Sequence, residues 1–283
     1  MTQLRFAMCS APYKGFDFRQ MCREIRAAGY TGLEVTPWAL AANPCAIAPA
    51  QRREYARIIG EEGLGFAGLH SILLAPAGLH VTTPDAALRR RSWDHVAGLI
   101  DLCADLGPGG VLVFGSPFQR GSTGGSTAAD ARARFVEGLV EVAPRAEARG
   151  VRILVEAIPS RQTDVVNTLA EAVEVAREVG SSSVRSMFDT HNSADETEPA
   201  EVLVERYFDW IAHVHVNEMD GAHCGAGHYN FAPLLAALTR LNYQGWVSVE
   251  PFDYAPGPER IARESIATLL RAAGAQSPES STL

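Results

Sequence analysis

The sequence is poor in lysine and has no cysteine pattern. Lys14 is the only lysine in 283 residues, so a Schiff-base mechanism would depend on that residue alone. The cysteines are odd in number, widely separated and without CxxC spacing: Cys9, Cys22, Cys45, Cys103 and Cys224. Such scatter argues against both a disulfide framework and a thiolate zinc site.

Long apolar runs and excess positive charge are also absent. No run reaches the roughly 20 apolar residues that cross a bilayer, and the first residues lack the pattern of a signal peptide. The net charge is −8 and the pI about 5.5, which repels nucleic acid and anionic lipid. We therefore expect a cytoplasmic protein without nucleic acid or membrane partners, whose ligand is a small neutral or metal-chelating molecule.

Short apolar runs alternate with longer amphipathic stretches along the whole chain. The short runs, typical of buried parallel strands, begin at Leu4, Gly32, Leu64, Gly110, Val151, Val184, Ile211 and Trp246. The helical stretches are Phe18–Ala28, Pro49–Glu62, Pro84–Leu106, Ala129–Arg149, Thr168–Val179, Pro199–Trp210, Phe231–Leu241 and Pro258–Ala273. Eight strand–helix pairs predict a single (β/α)8 TIM barrel over residues 1–274, followed by a disordered tail at 275–283.

Ionisable residues end four consecutive predicted strands: Glu156, Asp189, His215 and Glu250. A barrel gathers the carboxyl ends of its strands at one face, so we expect these side chains to converge. Any one of the acids could equally cap a helix or pair with an arginine. Three crowded carboxylates repel one another, however, and a divalent cation relieves that repulsion. Three carboxylates and one imidazole suit Mn²⁺ first, with Mg²⁺ or Co²⁺ as alternatives.

The motifs around these residues resemble a known superfamily. They are LVEAI, MFDTHN, HVHVNE followed by CGAGHYNF, and YQGWVSVEPF, with GLEV and GLH in the first half. The chain resembles the xylose-isomerase-like barrels, also grouped with AP endonuclease family 2, and among them the ketose 3-epimerases. The resemblance implies one metal ion on Glu156, Asp189, His215 and Glu250. It also implies proton exchange by Glu156 and Glu250 from opposite faces of a sugar-like substrate, and self-association into dimers or tetramers.

The implied reaction is proton transfer next to a carbonyl. A cation chelated by the carbonyl and a neighbouring hydroxyl stabilises an enediolate, while one carboxylate removes the proton and another returns it. Epimerisation and aldose–ketose isomerisation differ only in the carbon that receives the proton. Elimination by a lyase or dehydratase acting on a keto-sugar or inositol derivative begins with the same step, so that alternative stays open.

Five further residues are candidates for substrate contact. His191 follows Asp189 by two positions, and His213 lies two before His215, on the same face of its strand. His70 ends the third strand, and Glu34 and Trp38 lie near the end of the second. Each could instead be an ordinary core, capping or surface residue.

Two positions depart from the ketose 3-epimerase pattern. Gln162 stands where those enzymes carry a glutamate, and Gly221 where they carry an arginine; both family residues grip the substrate. Gln162 remains a candidate for substrate binding, and Arg161 or Arg120 could compensate for the missing arginine. The loop VFGSPFQRGSTGG could contact a phosphate or a polyol, or be a lid without specific contacts.

Two other functions are less favoured. Endonucleases of the superfamily need additional His and Asp ligands, whereas the fourth strand ends in FGS and the seventh-strand loop offers only His223 and His228. A sugar-binding barrel without catalysis would not need the pair of bases that Glu156 and Glu250 provide.

Overall fold

Eight parallel strands close into a barrel in which each strand pairs with the next and the eighth pairs with the first. The computed structural model describes residues 3–274, and the predicted tail at 275–283 lies outside them. The strands are β1 (Arg5–Cys9), β2 (Gly32–Val35), β3 (Gly65–Leu69), β4 (Val111–Phe114), β5 (Arg152–Val155), β6 (Val184–Asp189), β7 (Ile211–Val216) and β8 (Trp246–Val249). The predicted (β/α)8 barrel is confirmed.

Helices surround the barrel. They are α1 (Phe18–Ala28), α2 (Pro37–Leu40), α3 (Pro49–Glu61), α4 (Ala86–Leu106), α5 (Pro117–Arg120), α6 (Ala128–Arg149), α7 (Leu169–Val179), α8 (Ala200–Arg206), α9 (Ala232–Arg240) and α10 (Pro258–Ala272). The short helices α2 and α5 were not predicted. Each begins with a proline two or three residues after the end of a strand, where the fixed φ of proline favours a first helical turn.

Side-chain caps set several helix boundaries. The Asp17 carboxylate accepts a hydrogen bond from the Gln20 amide at the start of α1, and Thr127 forms a capping box with Asp130 at the start of α6. Asp85 accepts from two backbone amides at the start of α4. Because the cap is Asp85, α4 begins at Ala86 and the predicted start at Pro84 was wrong.

The predicted helix Pro199–Trp210 is divided in the structure. Helix α8 ends at Arg206, Tyr207 leaves helical geometry with φ −108° and ψ 17°, and a separate 3₁₀ turn covers Phe208–Trp210. The Phe208 ring packs against Tyr243, with the ring centroids 6.4 Å apart. The aromatic side chains thus anchor a turn where periodicity alone predicted a continuous helix.

Trp246 fills the end of the barrel at which the strands begin. Its ring lies against the backbone of Gly32 and Gly65, where an added Cβ would come within 2.6 and 2.9 Å of ring atoms. Inward side chains alternate along a strand, so the inward positions of β8 are Trp246, Ser248 and then Glu250, just past the strand end. The barrel is therefore plugged by an aromatic ring at one end and carries polar groups at the other.

None of the helices within residues 3–274 combines the length and the apolar composition of a membrane-spanning segment.

Candidate metal centre

The structure brings the four strand-end residues together at the carboxyl end of the barrel. Glu156 and Glu250 come one residue after β5 and β8, Asp189 ends β6, and His215 lies within β7. One ligand atom of each lies within 4.8 Å of those of the others, and all four side chains are buried. The convergence expected from the strand order is what the barrel produces.

The distances in this cluster fit a cation. His215 Nδ1 lies 2.8 Å from Glu250 Oε2, 3.9 Å from Asp189 Oδ2 and 4.0 Å from Glu156 Oε1. Two ligands that each lie about 2.1 Å from one ion cannot be more than about 4.2 Å apart, and all three distances are within that limit. When Nε2 of His215 carries the imidazole proton, Nδ1 and Glu250 Oε2 are two buried acceptors that face each other without a donor, which is costly unless something else satisfies them. The donor set and its unpaired atoms therefore fit a divalent ion.

Charge crowding supports the same conclusion. Burial, together with the charges of Glu250 and Asp189, raises the pKa of Glu156 well above its ordinary value. Burial and the charge of Glu250 raise the pKa of Asp189. Burial alone would raise the pKa of Glu250, but His215 and His70 outweigh it and lower the pKa to about 2. A cation at the centre would remove this conflict among carboxylates.

Glu34 orients His215 from inside the barrel. His215 Nε2 lies 3.0 Å from both carboxylate oxygens of Glu34, and His213 Nε2 lies 3.2 Å from Oε2. Because a carboxylate only accepts, Nε2 of His215 donates, and Nδ1 faces the other three ligands. A carboxylate behind a metal-binding histidine is the usual way in which proteins fix the imidazole.

A second contact holds Glu250 from the side. His70 Nδ1 donates to Glu250 Oε1 at 2.7 Å, and His70 Nε2 lies 2.6 Å from Cys9 Sγ. His70 and Cys9 are both buried. Because His70 holds Oε1 of Glu250, the other carboxylate oxygen, Oε2, points to the centre of the cluster and is available to a metal ion.

Two asparagines that we did not single out from the sequence complete the surroundings. The Asn192 amide donates to Glu156 Oε1 and to Asp189 Oδ2, both at 2.9 Å. Asn217 donates to the Glu250 carbonyl at 2.7 Å. Asn192 lies in the motif MFDTHN and Asn217 in HVHVNE. An asparagine two or three residues after a predicted ligand is the sequence signal that could have identified them.

The centre lies at the floor of a cavity of about 290 Å³. Of the predicted residues, Glu156, Glu250, His191 and Gln162 line it. The other lining residues are Ser71, Leu74, Val113, Gly115, Ser116, Pro117, Phe118, Gln119, Ile158, Asn192 and Phe252.

The remaining predicted substrate contacts lie elsewhere. Glu34, His213 and His70 are buried around the ligands. Both oxygens of Glu34, both ring nitrogens of His70 and Nε2 of His213 are engaged as described above. Trp38 is half-buried, and its ring lies 5.1 Å from the Lys14 ammonium. None of these four residues lines the cavity. Glu34, His70 and His213 instead face the candidate ligands and one another, and Trp38 lies on α2.

The arginines proposed as replacements do not reach the cavity either. The guanidinium of Arg120 is fully buried and donates to the carbonyls of Phe114 and Val166 at 2.8 and 3.3 Å. Arg161 is exposed and outside the lining. Among the described residues, neither an arginine nor a lysine lines this cavity.

A multinuclear centre has little support in residues 3–274. The side chains that could hold an ion there form two groups that share His215: the four ligands above, and Glu34 with His213 and His215. His223 belongs to neither group, and its Nε2 lies 2.8 Å from Glu264. Within residues 3–274, the additional ligands that an endonuclease of the superfamily would need near the seventh strand are therefore not brought together.

Comparison with known proteins agrees with this architecture. A D-psicose 3-epimerase from Enterocloster bolteae is 34% identical over 122 residues, which are 43% of this chain and 40% of that protein. The matched region thus spans less than half the length of this curated relative. A crystal structure of D-psicose 3-epimerase in the presence of D-fructose superposes with a TM-score of 0.81 at 19% identity, over 96% of this chain and all of the other.

A second solved structure, the 3-keto-D-glucoside 4-epimerase from E. coli in its apo form, gives a TM-score of 0.79 at 19% identity, over 95% of this chain and 100% of the other. At such identities the likeness shows the fold. Residues 22–272 match the family described as Xylose isomerase-like TIM barrel. That match covers most of the chain, which therefore belongs to the Xylose isomerase-like TIM barrel family.

Proposed function

We propose that the protein is a divalent-metal-dependent sugar epimerase or isomerase that moves a proton next to a carbonyl. The observation that carries the proposal is the buried cluster of Glu156, Asp189, His215 and Glu250 at the floor of the cavity. A sugar substrate is supported by the similarity of the chain to a D-psicose 3-epimerase and to a 3-keto-D-glucoside 4-epimerase. Mn²⁺ is the ion we favour, because hard carboxylate oxygens outnumber the imidazole nitrogen.

Glu156 and Glu250 are the proposed proton-transfer residues. Both line the cavity. Asn192 holds one oxygen of Glu156 and His70 holds one oxygen of Glu250, so each carboxylate is fixed in place. One removes the proton next to the substrate carbonyl and the other returns a proton from the opposite face. A bound dication would stabilise the negative charge that develops on the substrate oxygens.

The cavity favours an uncharged substrate. A phosphorylated sugar needs cationic or multiple amide donors, and the lining residues include neither arginine nor lysine. The polar side chains that remain beside the carboxylates, such as Gln162, His191 and Asn192, suit sugar hydroxyls.

Self-association into a dimer or tetramer remains a prediction that light scattering tests.

Solvent deuterium exchange tests the proposal directly. Free ketoses, aldoses and cyclitols, including D-fructose and D-psicose, are incubated with the Mn²⁺-loaded protein in D₂O, and NMR locates any deuterium. Because an amide cannot accept the proton, Glu156→Gln and Glu250→Gln should each reduce exchange at least 100-fold. The matched control is Glu259→Gln, an exposed carboxylate on α10.

Circular dichroism must show that the variants keep the wild-type fold. Exchange at the wild-type rate in one glutamine variant would remove that residue from proton transfer. No exchange from any compound by the Mn²⁺-loaded wild-type protein would refute the proposed function.

A further inference from the structure

The exposed apolar side chains are concentrated at the cavity end of the barrel. Seven large apolar side chains are exposed among the described residues: Phe16, Leu74, Phe118, Val140, Met219, Phe252 and Tyr254. All except Val140 follow the carboxyl ends of strands, whereas Val140 lies on α6. Clustered exposed apolar surface marks a binding site more often than scattered single residues do.

Three of these side chains line the same cavity as the two catalytic carboxylates. Leu74, Phe118 and Phe252 are 50%, 75% and 49% exposed. They come from three different segments, after β3, in α5 and after β8. We call this set the apolar wall. Since three separate segments converge on one cavity, the apolar wall is continuous with the site of the proposed reaction.

Local contacts hold the Phe252 ring at the edge of the cavity. The Phe252 amide donates to the Gly221 carbonyl at 2.7 Å, and its ring lies 5.0 Å from the His191 ring. Gly221 has φ +86°, and an added Cβ would lie 3.0 Å from Cδ2 of Phe252. Gly221, which has no side chain, therefore leaves room for the aromatic ring, and its carbonyl is already paired with the Phe252 amide.

We propose that the apolar wall binds an apolar substituent of aromatic size on the sugar substrate, remote from the reacting carbonyl. This inference rests on the proposed function. The side chains of the wall have no hydrogen-bonding atoms, so sugar hydroxyls placed against them would lose water without gaining a partner. An aromatic substituent would gain contact with two phenyl rings. We take the anomeric carbon as the position of this substituent. Such a substituent locks the ring, so the proposed substrate class is an aryl glycoside whose carbonyl is on another ring carbon.

Two probes that differ only in the substituent test this inference. They are the phenyl and methyl 3-keto-β-D-glucopyranosides, and the measurement is kcat/KM for solvent deuterium exchange by the Mn²⁺-loaded protein. We expect the phenyl compound to be preferred at least tenfold. Phe118→Ala and Phe252→Ala should each lower the phenyl-to-methyl ratio at least fivefold, whereas Val140→Ala, the matched exposed apolar residue on α6, should keep the ratio.

The outcomes separate this inference from the proposed function. Equal exchange of the two glycosides, or a ratio that Phe118→Ala and Phe252→Ala leave unchanged, would overturn the inference. So would a change of oligomeric state in these variants, measured by light scattering, with the ratio unchanged, since the wall would then be an interface between copies. Exchange of D-fructose or D-psicose but of neither glycoside would overturn the inference alone. Exchange of none of these compounds would overturn both.

Discussion

At the scale of single residues, Gly115 leaves room for the carboxylate of Glu156, one of the two proposed proton-transfer residues. A Cβ added there would lie 2.2 Å from Oε2 of Glu156, so Gly115→Ala must displace that oxygen. Because a carboxylate end can move without disturbing the backbone, we expect the melting temperature to stay within a few degrees. Displacement by about 1 Å can reduce a rate about 100-fold, and deuterium exchange should fall by a factor of this order.

Gly121→Ala is the control for this substitution. It lies just after α5 in the same βα segment, and an added Cβ there comes no closer than 3.3 Å to a neighbour. Exchange by Gly115→Ala equal to that of Gly121→Ala would show that Glu156 Oε2 has no fixed role.

Glu34 should determine metal affinity without touching the metal. Replacing the residue behind a metal-binding histidine typically weakens binding by about 10- to 100-fold. Glu34→Gln keeps the size of the side chain but removes the charge that holds the imidazoles of His215 and His213. We expect calorimetry to give an Mn²⁺ dissociation constant raised by about this factor. Wild-type affinity in Glu34→Gln would refute the orienting role.

At the scale of elements, one glycine allows α4 and α6 to pack together. A Cβ on Gly138 would lie 1.8 Å from Cε2 of Trp93, and that indole donates to the Val81 carbonyl at 3.0 Å. Overpacking of this kind costs about 1–3 kcal/mol, more than the ~0.5–1 kcal/mol that alanine gains over glycine in a helix. Gly138→Ala should therefore lower the free energy of unfolding in urea.

The control for this prediction is another helical glycine. An added Cβ on Gly60 in α3 meets no atom within 4 Å, so Gly60→Ala should keep the stability or raise it slightly. A Gly138→Ala variant as stable as Gly60→Ala would mean that α6 shifts freely against Trp93.

The strand and helix pattern was predictable because both faces of each strand are buried. Apolar runs and glycine or proline boundaries therefore give the order of the elements directly. The division of α8 from the turn Phe208–Trp210 was not predictable, since it depends on packing against Tyr243, which is distant in the sequence. The start of α4 was not predictable, because Pro84 is a suitable first helical residue and Asp85 is a suitable N-cap. The structure uses Asp85 as the N-cap.

The candidate centre was predictable in its ligands but less so in their supports. Strand order alone brings Glu156, Asp189, His215 and Glu250 to one face. Whether an inward side chain reaches the cavity or lies one layer below depends on strand register, which the sequence does not give. Glu34 was for this reason expected at the substrate and lies behind His215, whereas His70, one residue after β3, holds Glu250 from the side.

At the scale of the whole molecule, the four ligands come from four strands, so a bound ion would tie half of the barrel together. A ligand that binds only the folded state at about 100 times its dissociation constant adds about 2.7 kcal/mol of stability. For a chain of 283 residues that corresponds to about 5 °C in melting temperature. We expect Mn²⁺ to raise the melting temperature by this amount, and EDTA to reverse the change.

The double variant Asp189→Asn, Glu250→Gln is the control for this melting experiment. It removes two of the three negative charges among the candidate metal ligands. The double variant should lose most of the Mn²⁺-dependent rise. A wild-type melting temperature that Mn²⁺, Mg²⁺ and Co²⁺ all leave unchanged would contradict the metal centre.

The pairing of β8 with β1 also determines where a linker can be fused without covering the cavity. β1 begins, and α10 returns, at the end of the barrel that Trp246 plugs, so Gln3 and Gly274 both lie on the face away from the cavity. A linker fused at either position would hold the protein on a sensor surface with its cavity facing the solution. A tether at either position would thus leave the mouth of the cavity unobstructed.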